Sequence, residues 1–292
     1  MEPSDNKAVK PSPLQGDQDL VTLDPDHPGF RDATYRSRRN AIAQLAMRYK
    51  EPLPVPEVEY TPAEQEVWRM VWKGLSPLHE KRAARQYREA FEQVTINKEV
   101  VPQLHQVNSQ LVRHSGFRML PVAGLVSSRS FQGQLSRDVF LATQYMRHSS
   151  VPFYTPEPDI VHELVGHAAT LAHPGYMRLN RAFGRAALAV DEERLKGLER
   201  LYWFTIEFGV VKEKDALKAY GAGLLSSFGE LERFEKESKL LPFHIPTIQA
   251  TPYDPTQYQG KLFVAESFEA LERDLVGYLD EVAGQAKPPS QG

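Results

Sequence analysis

The sequence predicts an α+β fold: one predominantly helical domain carrying a few short strands. Segments that read as helices fill most of the 292 residues, and strand-like runs are few and short. No internal repeat and no linker interrupts the chain after residue 20. The expected division is a disordered lead-in over 1–19, the folded domain over 20–284 and a flexible tail over 285–292.

The lead-in, MEPSDNKAVKPSPLQGDQD, is polar and has no apolar signal-peptide core. LDPDHPGF is a turn-rich entry to a helix over 33–49, which bears Arg36, Arg38 and Arg39. The prolines of PLPVPEVEY, 52–60, demand extended backbone. Thr61-Pro62-Ala63-Glu64 is a capping box with proline at the first helical position, so a helix runs from there towards Gly74. Helices are expected over 78–94 and 101–115, then a short strand over 118–122 and a small-residue loop, PVAGLVSSRSFQG. Further helices are expected over 137–147, 159–171, 176–189 and 192–208, the last capped by Asp191 and ended by Gly209. Residues 219–234 begin as a loop and become helical; 242–260 hold four prolines and form an irregular or hairpin-like excursion; 266–282 is a final helix.

A net charge of -3, evenly balanced, points to neither nucleic acid nor an acidic membrane surface. The absence of cysteine excludes disulfides, thiolate zinc sites and iron–sulfur clusters. No apolar run reaches transmembrane length, so a cytoplasmic protein is the expectation.

The chemistry concentrates in PDIVHELVGHAATLAHP, 158–174, which holds three of the nine histidines. Within its apolar run the ionisable residues are His162, Glu163 and His167, and burying them is costly unless they are paired or bound to metal. The stretch looks like the metalloprotease pattern H-E-x-x-H, but its histidines are five residues apart, not four. Residues five apart differ by about 140° on an α-helix, so a joint site requires a helix that is widened or ending; Gly166 permits either. The plainer alternative is two neighbouring core histidines. LYWFTIEFGVV, 201–211, contains one charge, Glu207, which needs a strong partner. Two histidines and a carboxylate without sulfur suit non-haem Fe(II), while zinc remains chemically possible.

YTPEPDIVHELVGH, LYWFTIEFG and AYGAGLLSSFGELE closely resemble the catalytic domain of the pterin-dependent aromatic amino acid hydroxylases. The likeness runs from LDPDHPGFRDATYRSRR to AESFEALER and includes the five-residue histidine spacing. It implies that family's catalytic-domain fold, with His162, His167 and Glu207 holding a catalytic Fe(II). A tetrahydropterin then supplies electrons, and O2 delivers one oxygen atom to the aromatic ring and the other to the pterin.

By the same resemblance Gly124, Val126 and Ser128 belong to the pterin loop, and Phe131 is the ring on which the pterin stacks. Glu163 and Tyr202 lie on the pterin side. Leu141 departs from animal members, which carry histidine there. Arg147 is the expected partner of the amino acid carboxylate, held by Asp159. Tyr154, Thr155, Pro156 and Glu157 match a loop over the substrate; Ser226, Ser227 and Glu230 match the far wall. Trp203 and Phe208 match aromatic pocket residues. Trp203 is larger than the phenylalanine that tryptophan hydroxylases carry, so phenylalanine is the expected substrate, converted to tyrosine. Tyrosine, tryptophan and meta hydroxylation are the alternatives. Asp254 lies near the aspartate of vertebrate tyrosine hydroxylases. His173 matches no functional position and is expected at a helix end or the surface. The resemblance covers neither a regulatory domain nor a tetramerising helix, so a monomer is expected. A zinc hydrolase and a non-catalytic amino acid-binding relative are the competing classes.

Overall fold

The computed structural model describes residues 21–124 and 126–285. The expected lead-in, the tail beyond 285 and Leu125 lie outside the described residues. Four helices come first: α1 (Ala33–Arg48), α2 (Pro62–Arg82), α3 (Arg85–Gln93) and α4 (Leu104–His114). Asp32 caps α1, and the capping box of α2 is formed by both reciprocal bonds between Thr61 and Glu64.

Where α2 was expected to end, it continues through Gly74 and Pro77. Gly74 is a packing residue: a Cβ there would lie 3.0 Å from both Phe153 and Phe228. The single helix expected over 78–94 is broken instead at Ala83 and Ala84, where Ala84 N–H donates to Ala219 O.

β1 (Arg118–Pro121) pairs in parallel with β2 (Val139–Ala142), so the helix expected over 137–147 is a strand followed by extended chain. VFLATQYM is apolar almost throughout, and such a short buried run has no periodicity to separate strand from helix. The loop expected between them contains α5 (Ser128–Leu135), capped by Ser127.

α6 (Pro174–Ala189) packs between α5 and α11 (Phe268–Gly284) and forms the centre of the core. His173 accepts from Gly175 N–H and caps α6, as a helix-end residue. α7 (Glu192–Tyr202), capped by Asp191, is shorter than expected because its last turns widen. A second sheet, in the order β4-β3-β6-β5, comprises β3 (Val210–Glu213), β4 (Ala216–Ala219), β5 (Lys239–Pro242) and β6 (Lys261–Ala265). β3 and β4 form a hairpin, and β6 runs parallel to both β3 and β5. α8 (Ala222–Ser226), α9 (Phe228–Glu237) and α10 (Ile245–Ala250) complete the chain, so the excursion expected over 242–260 is partly helical. Among the described residues no helix is long and apolar enough to cross a membrane.

Candidate active site

His162 and His167 lie on a π-helical segment, His162–Ala168, whose wider turn stacks residues five apart. Their Nε2 atoms are 3.0 Å apart. Gly166 contributes through packing: a Cβ there would lie 2.8 Å from Ala222 O of α8. Glu207 ends a second π-helical segment, Trp203–Glu207, where Phe208 N–H donates to Trp203 O five residues back. Glu207 Oε1 is 3.2 Å from His167 Nε2, and Oε2 is 3.5 Å from His162 Nε2.

The close approach of α8 also sets a tautomer. Ser226 Oγ donates to Ala222 O at 2.7 Å and therefore faces His162 Nδ1, 3.0 Å away, as acceptor. The proton of His162 sits on Nδ1, leaving the Nε2 lone pair for a ligand. Burial pushes His162 down to about 4, favouring the neutral ring. Burial also opposes charge on His167 and Glu207, yet their mutual attraction prevails: His167 rises and Glu207 falls from its ordinary value. His167 and Glu207 thus form a charge-paired couple beside a neutral His162.

An ion about 2.1 Å from each donor separates them by roughly 3.0 Å on an octahedral face and roughly 3.4 Å in a tetrahedron. The observed 3.0–3.5 Å fits a transition metal of either preference. Glu163 is also within 4.8 Å of both imidazoles. Its Oε1, however, is taken by Thr143 N–H and Thr143 Oγ1, both at 3.0 Å, so Glu207 is the better third ligand. Burial pushes Glu163 up to about 7. His167 Nδ1 is buried without a hydrogen-bond partner.

These groups open on a cavity of about 510 Å³. Every expected site residue lines it except Asp159, which is fully buried behind Arg147. Gly124, Val126, Ser128, Phe131, Glu163 and Tyr202 form one side. Phe131 meets Tyr202 and Phe140 edge-on, and Phe140 lies 4.5 Å from the His167 ring. The Tyr202 hydroxyl turns away to donate to Asn180 Oδ1 at 3.2 Å, so Tyr202 offers its ring.

Across the histidine–carboxylate cluster, Arg147 grips Asp159 through Nε at 2.9 Å and Nη2 at 2.8 Å. Burial would raise the Asp159 carboxyl, but Arg147 holds it below its ordinary value. Asp159 Oδ1 also accepts from His162 N–H at 3.1 Å, joining this pair to the ligand helix. With Nη1 donating to Pro152 O at 3.4 Å, one hydrogen remains on each terminal nitrogen of Arg147, a fork suited to a carboxylate. Tyr154, Thr155 and Pro156 lie on the adjoining loop, where Tyr154 donates to Thr256 O at 2.8 Å. The Glu157 carboxylate is committed to Arg39 at 2.8 Å. Ser226, Ser227 and Glu230 form the far wall, with Trp203 against Phe208 at 4.7 Å.

Thr143, Phe140, Asn180, Tyr253 and Gln259 were missed in the sequence. Each acts by holding another site residue, and no local pattern marks such a partner.

Fold and site bring two histidines and a carboxylate together on a cavity with aromatic walls, a donor set that suits a divalent transition metal. The model of the biopterin-dependent aromatic amino acid hydroxylases matches residues 16–286, and the chain belongs to this family. It is 43% identical over 263 residues to tyrosine 3-monooxygenase of Schistosoma mansoni, covering 88% of this chain and 57% of that protein. It is 43% identical over 251 residues to phenylalanine-4-hydroxylase of Homo sapiens, covering 84% of this chain and 56% of that one. The chain thus spans little more than half the length of these curated relatives. The phenylalanine hydroxylase of Chromobacterium violaceum, in a structure with bound iron(III) and oxidised 7,8-dihydrobiopterin, superposes with a TM-score of 0.74 at 26% identity. That match covers 84% of this chain and 92% of the other.

Proposed function

We propose that this chain is an iron- and tetrahydropterin-dependent monooxygenase that hydroxylates L-phenylalanine to L-tyrosine. The observation that carries this reading is the convergence of His162, His167 and Glu207 on a cavity with aromatic walls and the free fork of Arg147. In it, His162, His167 and Glu207 hold Fe(II). Phe131 and the Tyr202 ring flank the pterin, with Gly124, Val126 and Ser128 along its polar edge and Glu163 beside it.

Arg147, steadied by Asp159, orients the substrate carboxylate, while Trp203 and Phe208 pack its ring. Tyr154, Thr155, Pro156 and Glu157 roof the substrate, and Ser226, Ser227 and Glu230 close its far side. Bound together, ferrous iron and the reduced pterin supply the electrons that let O2 react with a closed-shell ring. The protein's part is to hold ring and metal face to face and to exclude water. Phenylalanine is preferred because Trp203, stacked at 4.3 Å on Tyr253 and packed on Phe208, fills cavity volume that an indole substrate would need.

Reconstitution with Fe(II), a tetrahydropterin and O2 tests the reading, with products from phenylalanine, tyrosine and tryptophan identified by mass spectrometry and NMR. Tyrosine from phenylalanine is expected as the main product. No hydroxylated product from any of the three would overturn the reading.

A further inference from the structure

Trp203 is held on three sides. Phe208 covers one part of the indole, Tyr253 stacks on it at 4.3 Å with 12° between planes, and Nε1–H donates to Gln259 Oε1 at 3.0 Å. Gln259 also binds the loop that carries Tyr253. This loop, 251–260, connects α10 to β6 and places Pro255, Thr256, Gln257 and Tyr258 on the cavity. Gln259 Nε2 donates to Asp254 O at 3.0 Å and to Gln257 O at 2.8 Å, curling the loop around one amide.

Its backbone is fixed as well. The N–H donates to Glu230 Oε1 at 2.8 Å, and the carbonyl accepts from Ser238 Oγ at 2.7 Å. The side-chain amide has one orientation that satisfies all neighbours, because the indole offers only a donor and the two carbonyls only acceptors. Gln259 is 7% exposed, and both of its amide hydrogens and its oxygen are engaged.

We infer that Gln259 is the residue that positions the selectivity wall: its Oε1 fixes the Trp203 indole while its Nε2 holds the 254–258 loop over the bound amino acid. This rests on the reading of the cavity as an aromatic amino acid site. Oxygen and nitrogen of one amide thus serve separable ends. The oxygen sets which side chain fits, and the nitrogen sets how tightly any amino acid is enclosed.

Calorimetric binding of L-phenylalanine and L-tryptophan to the Fe(II)-loaded full chain under argon separates these roles without turnover. Gln259→Met keeps the volume and removes every side-chain bond. It should lower the phenylalanine-to-tryptophan affinity ratio about tenfold, as expected for loss of one or two buried hydrogen bonds. Trp203→Phe should lower the ratio comparably, and adding Gln259→Met to it should change the ratio by less than about twofold, since both act through one indole. Gln259→Glu keeps an acceptor for Trp203 but loses both loop donors. It should leave the ratio within about twofold of wild type and weaken both amino acids about tenfold.

An unchanged ratio in Gln259→Met, an equal change in the Trp203→Phe background, or a collapsed ratio in Gln259→Glu would overturn the assignment alone. A wild-type chain that binds neither amino acid would overturn it together with the reading beneath it. Should Gln259→Met fail to fold, the Gln259→Glu outcome decides.

Discussion

The wall of the cavity that bears His162, His167 and Glu207 is helical, whereas the wall carrying the residues around Tyr154 and Tyr258 is loop. In the first, side chains are held by continuous backbone hydrogen bonding and by packing against α8 so close that Gly166 leaves no room for a Cβ. In the second, a few side-chain bonds carry the shape: Arg147 to Asp159, Tyr154 to Thr256, and Gln259 to its five partners. Two partly buried carboxylates, Glu207 at the histidine–carboxylate cluster and Glu230 on α9 beneath the 251–260 loop, behave oppositely. Two imidazoles hold Glu207 low. Burial pushes Glu230 up to about 6, against neutral donors and a more distant Arg233. The contrast separates a wall built to concentrate charge from one built to shape space.

The comparison breaks most directly at the metal-ligand wall. Glu207→Ala should lower Fe(II) affinity and turnover by about 100-fold or more, since even outer partners of a metal ligand cost 10- to 100-fold. Equilibrium dialysis with ferrous iron checks this, and near wild-type binding would remove Glu207 from the triad. Ser226→Ala should have the next largest effect, about 10-fold or more in metal affinity, because His162 would lose the acceptor that sets its tautomer. Unchanged affinity would contradict that coupling.

The smallest effect lies at Glu230 of α9, which supports the 251–260 loop. Glu230 has a folded pKa of about 6, above the ~4.3 of an unfolded glutamate. As pH rises, the unfolded chain releases this proton first, so Glu230's contribution to stability is full below about pH 4 and lost between about pH 4 and 6. The loss is about 2 kcal/mol and then levels off. Denaturant titrations of wild type and Glu230→Gln across that range should diverge by this amount, and parallel curves would refute it.

Local signals foretold some of these features. The Thr61–Glu64 box and the Asp191 cap express short-range chemistry and are found in place, and the isolated charge of Glu207 has a partner in His167. The five-residue histidine spacing required a widened helix, and a π-helical segment is there. β2 was misread because VFLA is apolar on both faces, a pattern that partners alone resolve into strand or helix. Pro77 and Gly74 look like helix terminators, but burial of Leu75 and His79 carries α2 past both.

By itself the chain determined the chemistry available: two imidazoles and a carboxylate in apolar surroundings, an arginine with an aspartate, and a supply of aromatic rings. Residue type and spacing are local properties, and they persist whatever the rest of the chain does. Tertiary structure decided which nitrogen of His162 faces the ligands, because Ser226 lies 64 residues away. It also decided how Trp203 is clamped, through a glutamine 56 residues distant. Such contacts come from the approach of α8 and of the 251–260 loop, which depends on how whole elements pack.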